Sequence, residues 1–376
     1  MTPANGEFVA RSDSQQRKAL TNLNQVATPQ QKLTQPKAPQ QLLKYSVISK
    51  PGRKNRKQQK TNQDSYVTVQ GFCGPPSNWF FGVYDGHGSH GHLVSDYVSR
   101  NMPQKIFDLV QSYAKQKFLL PQQFAKDGSH LGKKKVFDIG MLDDAAVRNV
   151  HNESYLQISN CMKAQGGFDC KHSGTTAVSI CVTRDTFQVS NTGDSRCTIF
   201  RQMNGTAPSF ISKGGSMVVN QTQYDWIAES LSRDHKPNMS GESERIISMN
   251  GRIDYYKDAD GRKIGPSRVY AKDEDGPGLA MSRSLGDTVA EKLGVIAVPD
   301  VKICRRQFDK DRAIVLCSDG VTEFLTNEQI GEIVFPYYAS NDTEGACRKL
   351  VEESTQMWMK EDSVIDDITA VVIFFQ

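Results

Sequence analysis

Several features that would mark other classes of protein are missing from this chain of 376 residues. No apolar run approaches the roughly 20 residues that cross a membrane, and no apolar signal segment opens the chain. The second residue is Thr2 rather than glycine, so N-terminal myristoylation is not predicted. The net charge is only +4, without the concentrated basic stripe that is typical of nucleic-acid binding. We therefore expect a monomer that binds neither membranes nor nucleic acid, located in the cytoplasm with the nucleus as a second location.

The eight cysteines do not follow a metal-binding or disulfide pattern. None belongs to a Cys-x-x-Cys pair, and both Cys181 and Cys317 lie inside apolar runs. Cysteines placed in this way are typical of buried free thiols in a reducing compartment. None has an arginine six residues later in a glycine-rich loop, so the sequence does not predict a cysteine nucleophile.

Composition divides the chain near residue 45. Residues 1–44 are rich in Gln, Asn, Thr, Pro and Lys, and we predict a disordered tail because they cannot bury much apolar surface. Residues 45–376 contain enough apolar material for one large domain. A family resemblance, described below, implies that residues 114–135 are a variable insertion, and we assign no role to them. A basic run at 53–60 leaves three interpretations open: a solvated segment, a nuclear-targeting signal, or a contact with phosphate.

Short apolar runs of strand length recur after residue 45, between stretches with helical spacing. The predicted strands are 79–84, 175–182, 187–190, 313–317 and 368–375, and the predicted helices are 92–110, 142–163, 241–249, 326–335 and 343–360. This order favours an α+β sandwich with central sheets and helices on the outside. Residues 254–277 are polar and glycine-rich, so we predict a long surface loop there, and long loops are usually functional.

Aspartates, often beside a glycine, stand at the ends of the predicted strands. The set consists of Asp64, Asp85-Gly86, Gly193-Asp194, Asp319-Gly320 and Asp366. One such pair is a common turn, but several would converge if the strands lie side by side. Clustered carboxylates raise each other's pKa and need a cation, and their hard oxygens favour Mg²⁺ or Mn²⁺ over zinc.

Residues 81–88, Phe-Gly-Val-Tyr-Asp-Gly-His-Gly, resemble the signature of the PPM family, the type 2C metal-dependent protein phosphatases. Further segments resemble the family in its order: 173–177, 191–196, 231–237, 279–287, 318–321 and 366–369. The resemblance extends over residues 45–376. It implies a four-layer α-β-β-α sandwich with two central, mainly antiparallel sheets, and a flap near residues 238–277.

The resemblance also implies a reaction. Phosphoserine and phosphothreonine in protein substrates would be hydrolysed directly, by a hydroxide that bridges two Mg²⁺ or Mn²⁺ ions, without a phosphoenzyme. Asp85 would be catalytic because it bridges the two ions, and Gly86 would offer its carbonyl oxygen to one of them. Asp319 and Asp366 would ligate the other ion, with Asp64 close by as a direct or water-mediated ligand.

Three further roles follow from the same resemblance. Asp194 would form a weaker third metal site with Asp319, and His87 resembles the proposed general acid. Familiar members carry an arginine five residues before the first aspartate, where this chain has Gln59. We predict that the neighbouring Lys60 supplies the positive charge for phosphate, without the bidentate geometry of arginine.

Other polar residues in these segments are predicted to support the fold. Asp234 and His235 look catalytic by type, but hydrogen-bonding scaffold is the preferred interpretation. Arg283 and Asp287 are predicted to form an internal ion pair or to anchor a loop. Residues 258–261 resemble a fragment of a calcium loop, but the ligand spacing is incomplete and a turn is predicted.

Two alternatives to a protein phosphatase remain. A pseudophosphatase would use the same fold as a binding module, but such a protein should have lost metal aspartates, and all five remain in this chain. A small phosphate ester could replace the protein substrate, although the extended flap favours proteins. Resemblance of fold alone does not decide between these substrates.

Overall fold

The structure is a computed structural model that describes residues 43–55, 58–117, 137–203 and 226–376. Of the tail predicted at 1–44, only Leu43 and Lys44 are described, and they begin the first strand. Most of the predicted insertion at 114–135 and part of the basic run at 53–60 lie outside the described residues.

Strands and helices follow each other along the described chain. The strands are β1 (Leu43–Lys50), β2 (Asp64–Gln70), β3 (Trp79–His87), β4 (Gly174–Thr175), β5 (Ala177–Val182), β6 (Thr186–Thr192), β7 (Arg196–Gln202), β8 (Trp226–Ser230), β9 (Gly251–Lys257), β10 (Lys263–Ala271), β11 (Pro277–Leu279), β12 (Leu285–Gly286), β13 (Asp300–Arg305), β14 (Asp311–Cys317) and β15 (Ile368–Phe375). The helices are α1 (Gly91–Lys117), α2 (Asp144–Gln165), α3 (Glu242–Ser248), α4 (Thr288–Glu291), α5 (Asp319–Thr322), α6 (Asn327–Val334) and α7 (Thr343–Glu361). Every predicted strand and helix is present, with ends shifted by a few residues.

Two antiparallel sheets form the centre of the molecule. The larger has the order β12-β4-β3-β5-β6-β13, with β2 paired to β3, and the smaller has the order β1-β15-β14-β7-β8. Alternate residues of each strand point to opposite faces. Phe80 and Tyr84 therefore pack under α1 and α2, whereas Phe81 and Val83 pack between the sheets. The four-layer α-β-β-α sandwich is confirmed.

Apolar spacing explains how the outer layers attach to the sheets. On α1 the buried residues Val94, Val98, Met102 and Ile106 recur at intervals of one helical turn, and they cover the larger sheet. On the other side α7 packs against β15, which is apolar on both faces because it lies between helix and sheet. Within the described ranges, no helix is long and apolar enough to span a bilayer.

The cysteines are free, as the sequence pattern predicted. Six are buried: Cys73, Cys170, Cys181, Cys197, Cys317 and Cys347. Burial raises the pKa of thiols such as Cys197 well above the ordinary value, so these groups stay protonated and weakly nucleophilic. They serve as small core residues.

Residues 254–277 were predicted as a long loop, and this prediction is wrong. β9 and β10 pair as an antiparallel hairpin, and β11 adds a third strand; we call β9–β11 the flap sheet. Ile253 and Val269 point from one face of this sheet into a small apolar cluster with Ile246 and Val295. These apolar residues alternate with charged and aromatic residues, which is typical of a strand. The many glycines and charges of the segment made this alternation hard to recognise in the sequence.

The tip of the hairpin is a turn, as predicted for residues 258–261. One carboxylate oxygen of Asp258 accepts hydrogen bonds from the backbone N–H groups of Asp260 (3.0 Å) and Arg262 (2.8 Å). Such bonds stabilise a tight turn without any ion.

Candidate functional site

The five predicted aspartates come together at one end of the two sheets. Asp64 and Asp85 are Cα partners at the ends of β2 and β3. Asp319 begins α5 directly after β14, Asp366 precedes β15, and Asp194 lies in the turn between β6 and β7. The other four carboxylates are close enough to Asp85 for electrostatic repulsion to raise its pKa. We call these five residues the aspartate cluster.

Burial and mutual repulsion disfavour negative charge in this cluster. Burial, followed by repulsion from Asp64 and Asp319, raises the pKa of Asp85 well above its ordinary value. Burial and the nearby Asp367 raise the pKa of Asp64 to about 7. One carboxylate oxygen each of Asp64, Asp194 and Asp319 is buried without a hydrogen-bond partner. These three buried oxygens lack a partner, and a carboxylate oxygen is the type of donor that a hard divalent cation binds.

Two lysines balance part of this negative charge. Lys236 Nζ donates to Asp194 at 2.5 Å, and Lys60 Nζ pairs with Asp366 and lies 3.4 Å from Asp367 Oδ2. Burial by itself would lower the pKa of each lysine, but the adjacent carboxylates raise both above the ordinary value. Both side chains therefore stay charged beside the cluster.

The lysines also bear on the sequence predictions. Lys60, predicted to bind phosphate, lies at the cluster but is bound to carboxylates. Lys236 was not predicted at all, although it stands two residues after Asp234 in a segment that resembles the family.

Among the residues that the structure describes, no group of three or more His, Cys, Asp or Glu side chains encloses a point where a metal ion would sit.

Local packing explains why residue 86 is glycine. Its N–H donates to the carbonyl of Gln63 at 3.1 Å. A Cβ atom at Gly86 would lie 2.3 Å from the carbonyl oxygen of Gly91 and 2.6 Å from that of Gln63. Asp85 is fixed next to it, because its N–H donates to Thr176 Oγ1 at 3.0 Å. The backbone at Asp85-Gly86 is therefore held in one position.

His87 is held from one side by a carboxylate. Its Nε2 lies 2.6 Å from Asp287 Oδ2, and Asp287 also accepts a hydrogen bond from Ser284 Oγ at 2.6 Å. Nδ1 of His87 is buried without a partner. Burial would lower the pKa of His87, but Asp287 and the more distant Asp194 raise it above its ordinary value. Asp287, predicted as a loop anchor, is thus also the residue that orients His87.

Asp234 and His235 have the scaffold roles that were predicted. Asp234 forms a two-point ion pair with Arg196, at 3.2 and 2.6 Å. The backbone N–H of His235 donates to the carbonyl of Gly193 at 3.0 Å, and its ring Nδ1 accepts from the N–H of Gly193 at 3.1 Å. Together they fix the turn that presents Asp194.

Comparison with known proteins agrees with this fold. The family model described as protein phosphatase 2C matches residues 48–362. The chain is similar to probable protein phosphatase 2C 73 of Arabidopsis thaliana, with 32% identity over 88% of this chain and 78% of the relative. It is also similar to probable protein phosphatase 2C 48 of Oryza sativa subsp. japonica, with 30% identity over 88% of this chain and 83% of the relative.

A solved structure shares the fold. The serine-threonine phosphatase 2C of Toxoplasma gondii superposes with a TM-score of 0.65, at 19% identity, over 91% of this chain and 97% of that one. Fold and sequence relatives together define a protein serine/threonine phosphatase. Within that class, the chain belongs to the protein phosphatase 2C family.

Proposed function

We propose that this chain hydrolyses phosphoserine and phosphothreonine in proteins, with Mg²⁺ or Mn²⁺ held by the aspartate cluster. The observation that carries the proposal is the cluster itself. It places five carboxylates at one end of two sheets and leaves buried oxygens of Asp64, Asp194 and Asp319 unpaired. Such a cluster is costly for a folded protein unless a cation binds it.

Each proposed ligand has a place in the site. The ligands of two ions would be Asp85, the carbonyl oxygen of Gly86, Asp319 and Asp366, with Asp64 adjacent, and Asp194 with Asp319 would hold a third ion. When bound, such ions lower the pKa of a water and neutralise charge on phosphoryl oxygens. The rigid backbone at Asp85-Gly86 supports this assignment, because metal ligands need fixed positions.

The chain's own cations and His87 would complete the chemistry. Lys60 lies at the rim of the cluster, 21% exposed, where its ammonium group can turn from Asp366 towards the phosphate of a substrate. His87 would give a proton to the leaving seryl or threonyl oxygen. Asp287 supports that role in two ways, since it fixes the ring and favours its protonated form.

The flap sheet favours a protein over a small ester as substrate. Arg268 stacks over the ring of Tyr256 at 4.4 Å, and Lys263 stacks over Tyr255 at 4.5 Å. Tyr256 is 52% exposed. Cations stacked on aromatic rings form a broad, ordered surface suited to a polypeptide.

The test compares hydrolysis of a phosphoserine peptide and of an aryl phosphate, with Mn²⁺ and with EDTA. The variants are Asp85→Ala and Asp319→Ala, and the control is Asp185→Ala, an aspartate 64% exposed on a distant turn. We expect Mn²⁺-dependent release of phosphate that both cluster variants abolish and the control retains. Activity that survives EDTA or either cluster substitution would overturn the metal-dependent mechanism. A chain that binds phosphopeptides but never hydrolyses them would instead be a pseudophosphatase.

A further inference from the structure

A cavity of about 500 Å³ has none of the aspartate cluster in its walls. It lies where the edge strand of each central sheet meets a helix. β13 ends the larger sheet and β8 ends the smaller one. The walls are formed by Arg148 and Asn152 on α2, by residues 230–233 at the end of β8, and by residues 299–302 at the start of β13. Its volume is in the range of small-ligand sites, roughly 300–1,000 Å³.

Positive side chains dominate the walls of this cavity. Arg148, Arg233 and Lys302 line it, against the single carboxylate of Asp300. Arg233 is 47% exposed and Lys302 is 42% exposed, so both heads can reach a ligand. Arg148 donates to the carbonyl of Val301, and among the described residues no carboxylate forms an ion pair with it.

The carboxylate of Asp300 is already shared by several cations. Arg283 lies 2.9 Å from one of its oxygens, whereas Arg233 and His235 lie 3.1 and 3.2 Å from the other. His235, Arg283 and Arg233 together hold the pKa of Asp300 below its ordinary value. Arg283 therefore has an internal ion-pair role, one of the two predicted for it, with Asp300 as a partner that the sequence did not indicate. Arg283 and Arg233 also pair with Glu242, at 2.5 and 3.6 Å, so two carboxylates share these two arginines.

The carboxylate of Glu229 is likewise shared by two cations. Glu229 accepts from Lys302 at 2.8 Å and also pairs with Arg201. Its partial burial would raise the pKa of Glu229, but Lys302 and Arg201 lower it below the ordinary value. Arg201 is also paired with Asp311 at 2.8 Å. Among the residues that line the cavity, three cationic side chains still face one carboxylate.

Two hydroxyl groups in the wall are also turned to donate. Ser232 Oγ accepts from the N–H of Cys197 at 2.9 Å, and Ser230 Oγ accepts from Asn327 Nδ2 at 2.8 Å. Neither hydroxyl donates to another described residue, so each has a proton for a ligand. The guanidinium, ammonium and hydroxyl donors of the wall match an oxyanion. The wall also contains Asn152, whose Oδ1 is buried without a hydrogen-bond partner among the described residues.

We propose that this cavity is a second phosphoryl-binding site, distinct from the aspartate cluster. A phosphoryl group offers three acceptor oxygens and close to two negative charges, which fit two arginines, a lysine and two serines. The phosphoryl group comes from inorganic phosphate or from a second phosphorylated residue of a peptide; only the latter source rests on the proposed function.

The side chains of Asn191 and His235 connect the cavity to the turn before Asp194. Asn191 Nδ2 donates to the carbonyl of Arg233 at 2.8 Å and to that of Gly193 at 3.0 Å. Gly193 precedes Asp194 in the cluster.

Calorimetric titration of the full chain with inorganic phosphate and with singly and doubly phosphorylated peptides tests this proposal. EDTA is present, because the carboxylates of the aspartate cluster then repel phosphate and the titration reports the cavity. The variants are Arg148→Gln and Arg148→Gln with Arg233→Gln. The control is Arg184→Gln, an arginine 72% exposed on another turn. Thermal unfolding checks that each variant is folded, and the exposed Arg148 can change without disturbing the core.

We expect wild type and control to bind, and Arg148→Gln to bind roughly tenfold more weakly, with a larger loss in the double variant. Binding of inorganic phosphate would indicate that the free ion is sufficient. Binding of the doubly phosphorylated peptide alone would indicate the peptide source. Wild type that binds neither, or variants that bind as tightly as wild type, would overturn the proposal. None of these outcomes requires hydrolysis of a phosphate ester. Failure of the proposed phosphatase activity would therefore appear in the hydrolysis assay and not in this titration.

Discussion

Asp64 and Asp85 face each other as Cα partners across β2 and β3, at the end of the larger sheet. Like charges directly opposite on neighbouring strands destabilise a sheet. Ser318 Oγ donates to one carboxylate oxygen of Asp64 at 2.7 Å, but the other oxygen is buried without a partner. A divalent cation at this pair should therefore stabilise the folded protein as well as support catalysis.

Gly86→Ala should damage both stability and activity. The added Cβ would lie 2.3 Å from the carbonyl oxygen of Gly91, and the backbone must shift to relieve this contact. We expect a loss of about 1–3 kcal/mol in the free energy of unfolding, and a large fall in kcat because Asp85 moves with the backbone. Gly167→Ala is the matched control, since a Cβ there meets nothing within 4 Å. Urea unfolding and peptide dephosphorylation measure the two effects; equal stability of both variants would contradict the steric argument.

Lys236→Met should make stability depend more strongly on Mn²⁺. The substitution leaves Asp194, which is 2% exposed, without its ammonium partner, and breaking such a buried pair costs about 3–5 kcal/mol. A bound cation can replace the lost charge. We therefore expect Mn²⁺ to raise the Tm of this variant more than that of wild type.

Lys163→Met provides the comparison for that experiment. Lys163 pairs with Glu291 at 2.6 Å and is 23% exposed, so it matches Lys236 in kind but lies outside the aspartate cluster. Its Tm should respond to Mn²⁺ as wild type does. An equal response of Lys236→Met and wild type would show that Asp194 is not at a metal site.

His87→Gln should slow the reaction according to the leaving group. A seryl oxygen needs a proton as it leaves, so kcat for a phosphoserine peptide should fall by roughly 100-fold. An aryl phosphate leaves without that proton and should be little affected. Asp287→Asn should act in the same direction because it releases the ring, and the double variant should be no slower than His87→Gln alone. Equal losses on both substrates would rule out His87 as the acid.

Acid should destabilise the protein through His151. Burial lowers the pKa of His151 to about 4, whereas an unfolded histidine titrates near about 6.5. Below about pH 6.5 His151 binds a proton in the unfolded chain but not in the folded protein. The free energy of unfolding therefore falls as the pH decreases towards 4. Wild type should lose about 3 kcal/mol relative to His151→Gln between about pH 7 and pH 4.

The comparison of the two unfolding curves isolates the imidazole. Loss of the bond between Nδ1 of His151 and Ser190 Oγ, 2.7 Å long, shifts the stability of the variant equally at every pH. The carboxylates are common to both proteins. Parallel curves from neutral to acidic pH would show that His151 titrates normally in the fold.

Local patterns in the sequence predicted most of the fold. The apolar run at Ile368–Phe375 is a strand with the predicted ends, because it is bounded by charged and polar residues. β3 extends beyond the predicted end at Tyr84 to His87, since Gly86 and His87 pair with β4. That pairing joins segments far apart in the chain, which local propensity cannot indicate.

Contacts between distant segments account for what was missed in the site. Lys60 meets Asp366 across 306 positions of sequence, and Lys236 meets Asp194 across 42. The resemblance to the family suggested phosphate for the first lysine and no role for the second. The aspartates were predictable because each stands at a strand end, whereas their counter-cations depend on how the two sheets pack.

Calorimetric titration of Mn²⁺ into the full chain tests the central claim most directly. We predict that wild type and Asp185→Asn bind about two ions, and that Asp85→Asn loses this binding while remaining folded. Wild type that binds no Mn²⁺, or Asp85→Asn that binds it as wild type does, would contradict the assignment of the aspartate cluster as a metal centre.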